Sequence, residues 1–254
     1  MNLMDTDISQ RPLVSVIIPT YNGVSFLGRT VETLQTQTFE DWEAIFVDDF
    51  SEDGTVNFLN NINDSRIKVV ALTENSGPSV ARNIAIRTAT GRYIAFLDSD
   101  DLWATNKLEA QVAFMQNEGH AFTYHWHQKV NEDLSFIRLF KPKDSLTFRK
   151  LLQYNPLHTS SVIYDSQALG KIYMPEIRKR QDYGLWFRLV EKCEGRCLPE
   201  LLSSYVQREG SVSSNKLSLF KFNWQLYREA QGFSIPLSLY CLSWAVFSKL
   251  LKIK

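Results

Sequence analysis

The sequence is poor in cysteine, has no excess of charge of either sign and begins without an apolar leader. Its 254 residues include three cysteines, Cys193, Cys197 and Cys241. This odd number, with no paired spacing, argues against a small disulfide-stabilised secreted domain. Lys and Arg total 28, as do Asp and Glu, so the formal net charge is zero. Without a positive field, we expect no nucleic-acid partner.

Residues 1–11 are polar and acidic, and they lack an apolar stretch followed by a small-residue cleavage site. We therefore expect no signal peptide, a disordered N-terminus at 1–11, and a protein that stays in the cytoplasm. A reducing compartment also suits unpaired cysteines. The apolar content of 44% is enough for a real core in a chain of this length.

From residue 14 to residue 97, short β-branched runs alternate with amphipathic stretches. This rhythm is typical of strands joined by helices into a parallel sheet. We predict strands at residues 14–19, 44–47, 67–72 and 93–97. Helical spacing follows the first strand, Asp53 is a candidate cap for a second helix, and Pro78 suits the first turn of a third.

Polar residues collect where these strands end, which is where open parallel sheets bind ligands. The segments are residues 20–23, 48–49, 75–77 and 98–101. Five carboxylates are thereby expected at one edge. The alternative for Asp48 and Asp49 is a solvated turn.

Asp98 and Asp100 are separated by one residue in an Asp-x-Asp pattern. Two carboxylates this close repel each other unless a cation lies beside them. Oxygen ligands favour Mg²⁺ or Mn²⁺, which completes its shell with phosphate oxygens and water. The alternative is an acidic turn that caps the following helix.

After residue 102 the alternation weakens. We predict helices at residues 107–116 and 183–191, a strand at 161–164, and an antiparallel pair at 121–130 and 135–139. His125 and His127 would share one face of the first strand of that pair, either at a binding site or solvated. Trp103 and Trp186 fit either a sugar-binding wall or the core, and His158 fits either a site near a diphosphate or a loop.

Five segments resemble, in order, the motifs of inverting glycosyltransferases of family 2, of the bacterial surface-polysaccharide type. They are residues 14–22, 46–55, 77–83, 91–103 and 181–186. As a set they are highly specific, although each alone is weak. The resemblance implies an α/β protein with the GT-A fold, which has a mostly parallel, Rossmann-like sheet flanked by helices. A mixed α+β half and a C-terminal amphipathic helix would follow.

The resemblance further implies a hexosyltransferase that uses Mn²⁺ or Mg²⁺ to move a sugar from a nucleotide diphosphate donor, most naturally UDP-linked, to a saccharide hydroxyl. Pro19 and Tyr21 would flank the base, and Asp49 would accept a hydrogen bond from uracil N3–H. Further donor contacts would come from Asn75, Arg82, Asp98 and Ser99.

In the same resemblance, Asp100 would bind the metal together with Asp98, and Asp182 would be the catalytic base. Asp182 also fits a helix N-cap, a role that is compatible with catalysis. Phe50 departs from the family, which usually has glycine after the paired acids, so the resemblance does not predict the shape of that turn.

The expected organisation is a nucleotide-sugar half at 12–103, an acceptor and catalytic-base half at 104–214, and a helical segment at 215–254.

The C-terminal segment has no charged residue from 230 to 248, and three lysines follow at 249, 252 and 254. It is barely as long as the ~20 apolar residues that a membrane span needs. A span would also send its lysines outward, so we favour an interfacial helix on the inner face of the membrane. The acceptor would then be lipid-linked, or the saccharide core of a lipopolysaccharide. The alternative is a helix packed on protein.

Two other functions fit parts of the pattern. A nucleotide-sugar-binding regulatory module would share the fold without turnover, but it would not need Asp182. A nucleotidyltransferase would also use paired acids and a metal. We would expect it to have a glycine-rich loop with a lysine after the first strand, where residues 20–23 read Thr-Tyr-Asn-Gly.

Overall fold

The computed structural model describes residues 11–208 and 216–250. The expectation for residues 1–11 therefore falls, apart from Arg11, outside the described residues, as do Lys252 and Lys254. Ten strands within the described part form one sheet. In chain order they are β1 Val14–Thr20, β2 Trp42–Asp48, β3 Ile67–Ala71, β4 Tyr93–Phe96, β5 Leu102–Trp103, β6 Phe122–Val130, β7 Phe136–Phe140, β8 Ser145–Leu146, β9 Ile163–Asp165 and β10 Gly195–Val206.

Helices connect the strands and cover both faces of the sheet. They are α1 Val24–Gln35, α2 Thr55–Asn60, α3 Pro78–Thr88, α4 Lys107–Glu118, α5 Phe148–Gln153, α6 Ser166–Leu169, α7 Gln181–Val190, α8 Lys216–Gln225 and α9 Ile235–Leu250. A short 3₁₀ turn spans Thr159–Ser161, and a π-helical turn at Leu226–Ala230 continues α8.

The first half of the sheet is parallel, as predicted. β1 lies between β2 and β4, and β3 follows β2. The register pairs Thr20 with Asp48 and Ile17 with Phe96, so the carboxyl ends of these strands lie at one edge. Every residue of β1, β2 and β4 is buried. Burial along whole strands is expected where helices cover both faces of a parallel sheet.

The second half is mixed. β9 inserts antiparallel between β4 and β6, and β10 runs parallel to β6. The predicted antiparallel pairing of β6 with β7 is confirmed. β10 was not predicted, because Pro199 and Glu200 interrupt its apolar pattern. The register between β6 and β10 shifts there, between Leu198 and Leu201 and again before Ser203, which is how a strand accommodates such an interruption.

Two cores lie on opposite faces of the sheet, and β1 contributes to both because its side chains alternate. Val16 packs with α1 and α4, whereas Ile17 packs with α3, α7 and the C-terminal helices. Trp103 and Trp186 belong to these two cores and are only 4% and 0% exposed, so the expectation that they form a sugar-binding wall is wrong.

The C-terminal helix α9 packs on the rest of the protein through one face. Cys241 and Leu242 are buried in the same core as α7. Its other face leaves Ile235, Leu239 and Tyr240 about half exposed. Among the described residues, no helix combines the length and apolar character needed to cross a bilayer.

Candidate active site

The loops that follow β1 and β2 are tied together by hydrogen bonds. The Asp48 carboxylate accepts bonds from the Thr20 hydroxyl at 3.1 Å and from the Ser51 amide at 2.8 Å. The Ser51 hydroxyl in turn accepts from the Asn22 amide at 2.8 Å. Phe50, between them, has a φ of 68°, so the turn keeps the left-handed conformation that glycine would adopt.

Asp49 is buried and holds the loop that follows β3. One carboxylate oxygen accepts from the Ser76 amide at 2.7 Å, and the other accepts from the Gly77 amide at 2.8 Å. The Asn75 side chain donates to the Asp49 carbonyl at 3.2 Å. Each carboxylate oxygen has a second lone pair, so these contacts leave capacity for a base N–H. Because Asp48 and Asp49 are 1% and 4% exposed, the solvated-turn alternative is wrong.

The other expected base contacts lie at the same edge of the sheet. Tyr21 follows β1 directly and is 53% exposed, as a stacking side chain requires, whereas Pro19 is buried within β1. Ser99 is half-buried after β4, and its carbonyl accepts from the Thr30 hydroxyl at 2.8 Å.

The segment after β4 forms a network of charged groups. Asp98 pairs with the buried Arg82 at 2.5 Å. Ser160 bridges two acids, because its hydroxyl accepts from the Asp98 amide at 3.0 Å and donates to Asp101 at 2.5 Å. The next helix, α4, begins after Asn106, so this acidic segment is not its N-cap. The helix-cap alternative for the Asp-x-Asp segment is therefore wrong.

Asp98, Asp101 and His158 form a group of possible metal ligands. One ligand atom from each lies within 4.8 Å of the others. His158 Nε2 is 3.5 Å from Asp101 Oδ2, and Asp101 Oδ1 is buried without a hydrogen-bond partner among the described residues. Burial, followed by the charges of Asp98 and Asp100, raises the pKa of Asp101 well above its usual value. A cation beside Asp101 would relieve this cost.

Asp100 forms a different contact. Its carboxylate pairs with Arg208, whose guanidinium also lies 4.0 Å from the centre of the Phe26 ring. Burial and the charge of Asp98 raise the pKa of Asp100, and Arg208 opposes that rise. The expected metal ligand Asp100 thus lies beside the Asp98, Asp101 and His158 group and not within it, and its role as a ligand stays a prediction.

Asp182 is the second residue of α7. The cap position of that helix is Arg180, with a φ of 69°, so the N-cap alternative for Asp182 is wrong. Burial lowers the pKa of His158, while the charges of Asp98, Asp100 and Asp182 act together to raise it. All three carboxylates therefore lie within electrostatic reach of one imidazole.

His125 and His127 are both buried, which overturns the solvated alternative. The His127 ring stacks on Phe140 with centroids 4.8 Å apart, and it lies 5.1 Å from the His158 ring. Burial, and then the nearby His158, lower the pKa of His127 to about 3. His127 thus lines the wall behind His158 as a neutral imidazole.

Sequence reasoning missed Asp101 and Arg208 as parts of this site. Asp101 is the fourth residue of the acidic segment, but the Asp-x-Asp spacing predicts Asp98 and Asp100 as the metal ligands. Arg208 lies 108 positions beyond its partner and belongs to none of the recognised motifs. Only the path of β10 brings it to the site.

A mostly parallel α/β sheet with an acidic cluster at its carboxyl edge is the arrangement that the family 2 resemblance predicts for a glycosyltransferase with the GT-A fold. Residues 15–173 match the profile described as Glycosyl transferase family 2. The chain belongs to this family, and the resemblance seen in the motifs is confirmed.

Curated relatives agree with this assignment. The putative teichuronic acid biosynthesis glycosyltransferase TuaG of Bacillus subtilis is 39% identical over 235 residues, covering 91% of this chain and 93% of that protein. WfaP of Escherichia coli, named a UDP-Glc:alpha-D-GlcNAc-diphosphoundecaprenol beta-1,3-glucosyltransferase, is 37% identical, covering 80% of this chain and 81% of that protein.

Solved structures confirm the fold. TarS 1–349 of S. aureus in complex with UDP-GlcNAc matches with a TM-score of 0.72 at 22% identity, covering 95% of this chain and 76% of that chain. The mannosyltransferase PcManGT of Pyrobaculum calidifontis, in complex with GDP-Man and Mn²⁺, matches with a TM-score of 0.65 at 18% identity, covering 95% and 75%.

Proposed function

We propose that this glycosyltransferase is a metal-dependent, inverting hexosyltransferase that uses a UDP-sugar to extend a lipid-linked saccharide during surface polysaccharide synthesis. The observation that carries the proposal is the cluster of Asp98, Asp101 and His158 at the ligand-binding edge of the sheet. The charges of Asp100 and Asp182 also act to raise the pKa of His158. The UDP-sugar and lipid-linked saccharide named for WfaP support the choice of substrates.

The donor would lie across the half of the chain at 12–103. Tyr21 and Pro19 would contact the base, and Asp49 would accept from it while holding the loop that carries Asn75. Arg82, Asp98 and Ser99 would contact the sugar and phosphates. The half at 104–214 would supply His158 and Asp182 and bind the acceptor.

The donor atoms of the cluster fit a divalent cation. Asp98 and Asp101 supply carboxylate oxygens and His158 supplies a nitrogen, with Asp100 as the predicted further ligand. The nitrogen favours Mn²⁺ over Mg²⁺, which prefers oxygen ligands throughout, and the Mn²⁺ complex of PcManGT supports this choice. A bound divalent ion would neutralise charge on the leaving diphosphate.

The chemistry proposed for Asp182 is general base catalysis. Its carboxylate takes the proton of the acceptor hydroxyl while that oxygen forms a bond to the anomeric carbon. The bond between the anomeric carbon and the diphosphate oxygen breaks on the opposite face, and the nucleoside diphosphate leaves with the electron pair. The configuration of the transferred sugar is therefore inverted.

The proposed location is the inner face of the cell membrane. The exposed side of α9, formed by Ile235, Leu239 and Tyr240, is a surface that a bilayer interface would cover. The diphosphoundecaprenol-linked substrate of WfaP supports a membrane-bound acceptor for this chain as well.

The decisive experiment measures nucleoside diphosphate release from UDP-, GDP- and dTDP-sugars with Mn²⁺ and a membrane lipid extract as acceptor. We expect release from one donor. Asp100→Ala should lose it, and Asp182→Asn should lower it about 100-fold or more. Asp41→Asn, an exposed acid at the opposite edge of the sheet, serves as the control and should keep full activity.

The products separate the competing functions. Release of pyrophosphate would indicate nucleotidyl transfer. Donor binding without any release, in the presence of every acceptor, would favour the regulatory module and contradict the proposal.

A further inference from the structure

Two basic side chains face each other across the hairpin formed by β6 and β7. Lys129 on β6 is paired in register with Arg138 on β7. Like charges placed directly opposite destabilise a sheet. Neither forms an ion pair with a carboxylate of the described residues. Each cation instead lies over an aromatic ring, Lys129 over Tyr205 and Arg138 over Phe140, so both remain able to pair with an anionic ligand.

This basic pair lies on the same face of the sheet as the acidic site. The ammonium group of Lys129 is 5.7 Å from the centre of the Tyr205 ring, and that ring lies 5.1 Å from the His158 ring. His127, two residues before Lys129 on β6, lies 5.1 Å from His158 as well. Two residues along a strand span about 7 Å. Lys129 is thus about 7 Å along β6 from His127, and the Tyr205 ring lies next to both Lys129 and His158.

Apolar side chains lie on the other side of the basic pair. β7 pairs only with β6 among the described strands, so it leaves a free edge. On that hairpin, Leu134, Phe136 and Ile137 are 47%, 64% and 38% exposed. The exposed end of the hairpin, beyond the basic pair, is thus apolar.

We propose that Lys129 and Arg138 bind the phosphate groups that join the acceptor saccharide to its lipid. The acceptor sugar would lie between this basic pair and Asp182, and the lipid chain would leave over the end of the hairpin, past Leu134 and Phe136. This inference rests on the proposed function, because it takes the acceptor to be lipid-linked. Anionic headgroups of the bilayer present the same phosphate chemistry, so the test must distinguish the two sources.

The test compares two water-soluble acceptors, a GlcNAc diphosphate ester of a short alkyl chain and the neutral alkyl glycoside of GlcNAc. Calorimetry measures their binding to the full chain with UDP and Mn²⁺ occupying the donor site, so turnover is not needed. We expect the diphosphate compound to bind more tightly. The double variant Lys129→Gln, Arg138→Gln should weaken its binding about tenfold or more and leave glycoside binding unchanged.

Arg196→Gln, an exposed cation at the start of β10, is the matched control and should change neither affinity. Equal binding of the two acceptors to the native chain, or an equal loss for both in the double variant, would overturn the inference. Absence of sugar transfer despite selective diphosphate binding would refute the proposed function and leave the basic pair intact as a phosphate site.

Flotation with phosphatidylglycerol vesicles separates the lipid headgroup from the acceptor. The double variant should float as well as the native chain. Loss of flotation with unchanged affinity for the diphosphate acceptor would assign the basic pair to the headgroups and contradict the inference.

Discussion

Phe50 has an unusual backbone conformation for its residue type. Its φ of 68° lies in the left-handed region, where a side chain costs about 1–2 kcal/mol relative to glycine. The ring is 45% exposed, so little buried surface offsets that cost. The hydrogen bonds around Asp48 and Ser51 hold the turn in place.

We expect Phe50→Gly to raise the free energy of unfolding by about 0.5–1 kcal/mol, because relief of the strain exceeds the entropy that glycine adds to the unfolded chain. Urea unfolding measures this change. Phe136→Gly, an exposed phenylalanine in a strand, should instead lower it. A loss of stability in both variants would contradict the argument.

Lys107 is fully buried in the core beside β6 and lies 3.8 Å from the centre of the Trp103 ring. Its ammonium nitrogen has no hydrogen-bond partner among the described residues. Burial lowers the pKa of Lys107 well below its usual value. Near neutral pH, Lys107 therefore binds a proton more readily in the unfolded chain than in the folded chain. The free energy of unfolding consequently increases as the pH rises towards the usual lysine pKa.

Lys107→Met should raise the free energy of unfolding at neutral pH by about 1–3 kcal/mol, because it removes an unsatisfied polar group while keeping most of the volume. This advantage should shrink as the pH rises towards about 10. Unfolding curves from pH 7 to pH 10 test it, with the partly exposed Lys68→Met as the control. A difference that stays constant with pH would be evidence against the burial argument.

At the scale of elements, α9 has two faces with different environments. Cys241 and Leu242 complete the core, so removing residues 233–254 would damage the fold along with any membrane contact. Deletion of this segment is therefore a poor test of membrane binding. Substitution of the exposed residues alone separates the two roles.

We expect the triple variant Ile235→Gln, Leu239→Gln, Tyr240→Gln to reduce binding to vesicles at least tenfold while leaving the melting temperature nearly unchanged, because the loss of apolar area falls on one exposed face. Vesicle flotation and circular dichroism measure the two quantities. Leu201→Gln, an exposed apolar residue on β10, is the control. Undiminished flotation of the triple variant would show that α9 makes no membrane contact.

At the scale of the whole molecule, the proposed metal site joins the two halves of the chain. Asp98 and Asp101 follow β4, whereas His158 comes from the loop that precedes β9. A ligand that binds only the folded state stabilises it in proportion to the logarithm of its concentration. Mn²⁺ should therefore raise the melting temperature of the native chain.

Asp101→Asn should abolish most of this Mn²⁺-dependent rise, and Asp100→Ala should reduce it if Asp100 is a further ligand. Differential scanning fluorimetry across a Mn²⁺ series, with Asp41→Asn as the control, measures the effect. An equal rise in native and Asp101→Asn proteins would place the ion elsewhere.

Much of the first half was predictable from local pattern. Strand and helix periods alternate up to β4, and helix α3 begins at Pro78 as predicted. A parallel sheet then requires Asp49 and Asp98 to lie at one edge, so their neighbourhood followed from the sequence alone. The resemblance to family 2 added the expected roles of those residues.

Tertiary structure alone decided how the second half completes the site. β10 and the antiparallel insertion of β9 bring Arg208 to Asp100 and His158 to Asp101, over separations that no sequence period records. The physical reason is that periodicity reports which side of an element is buried. It does not report which distant element covers that side.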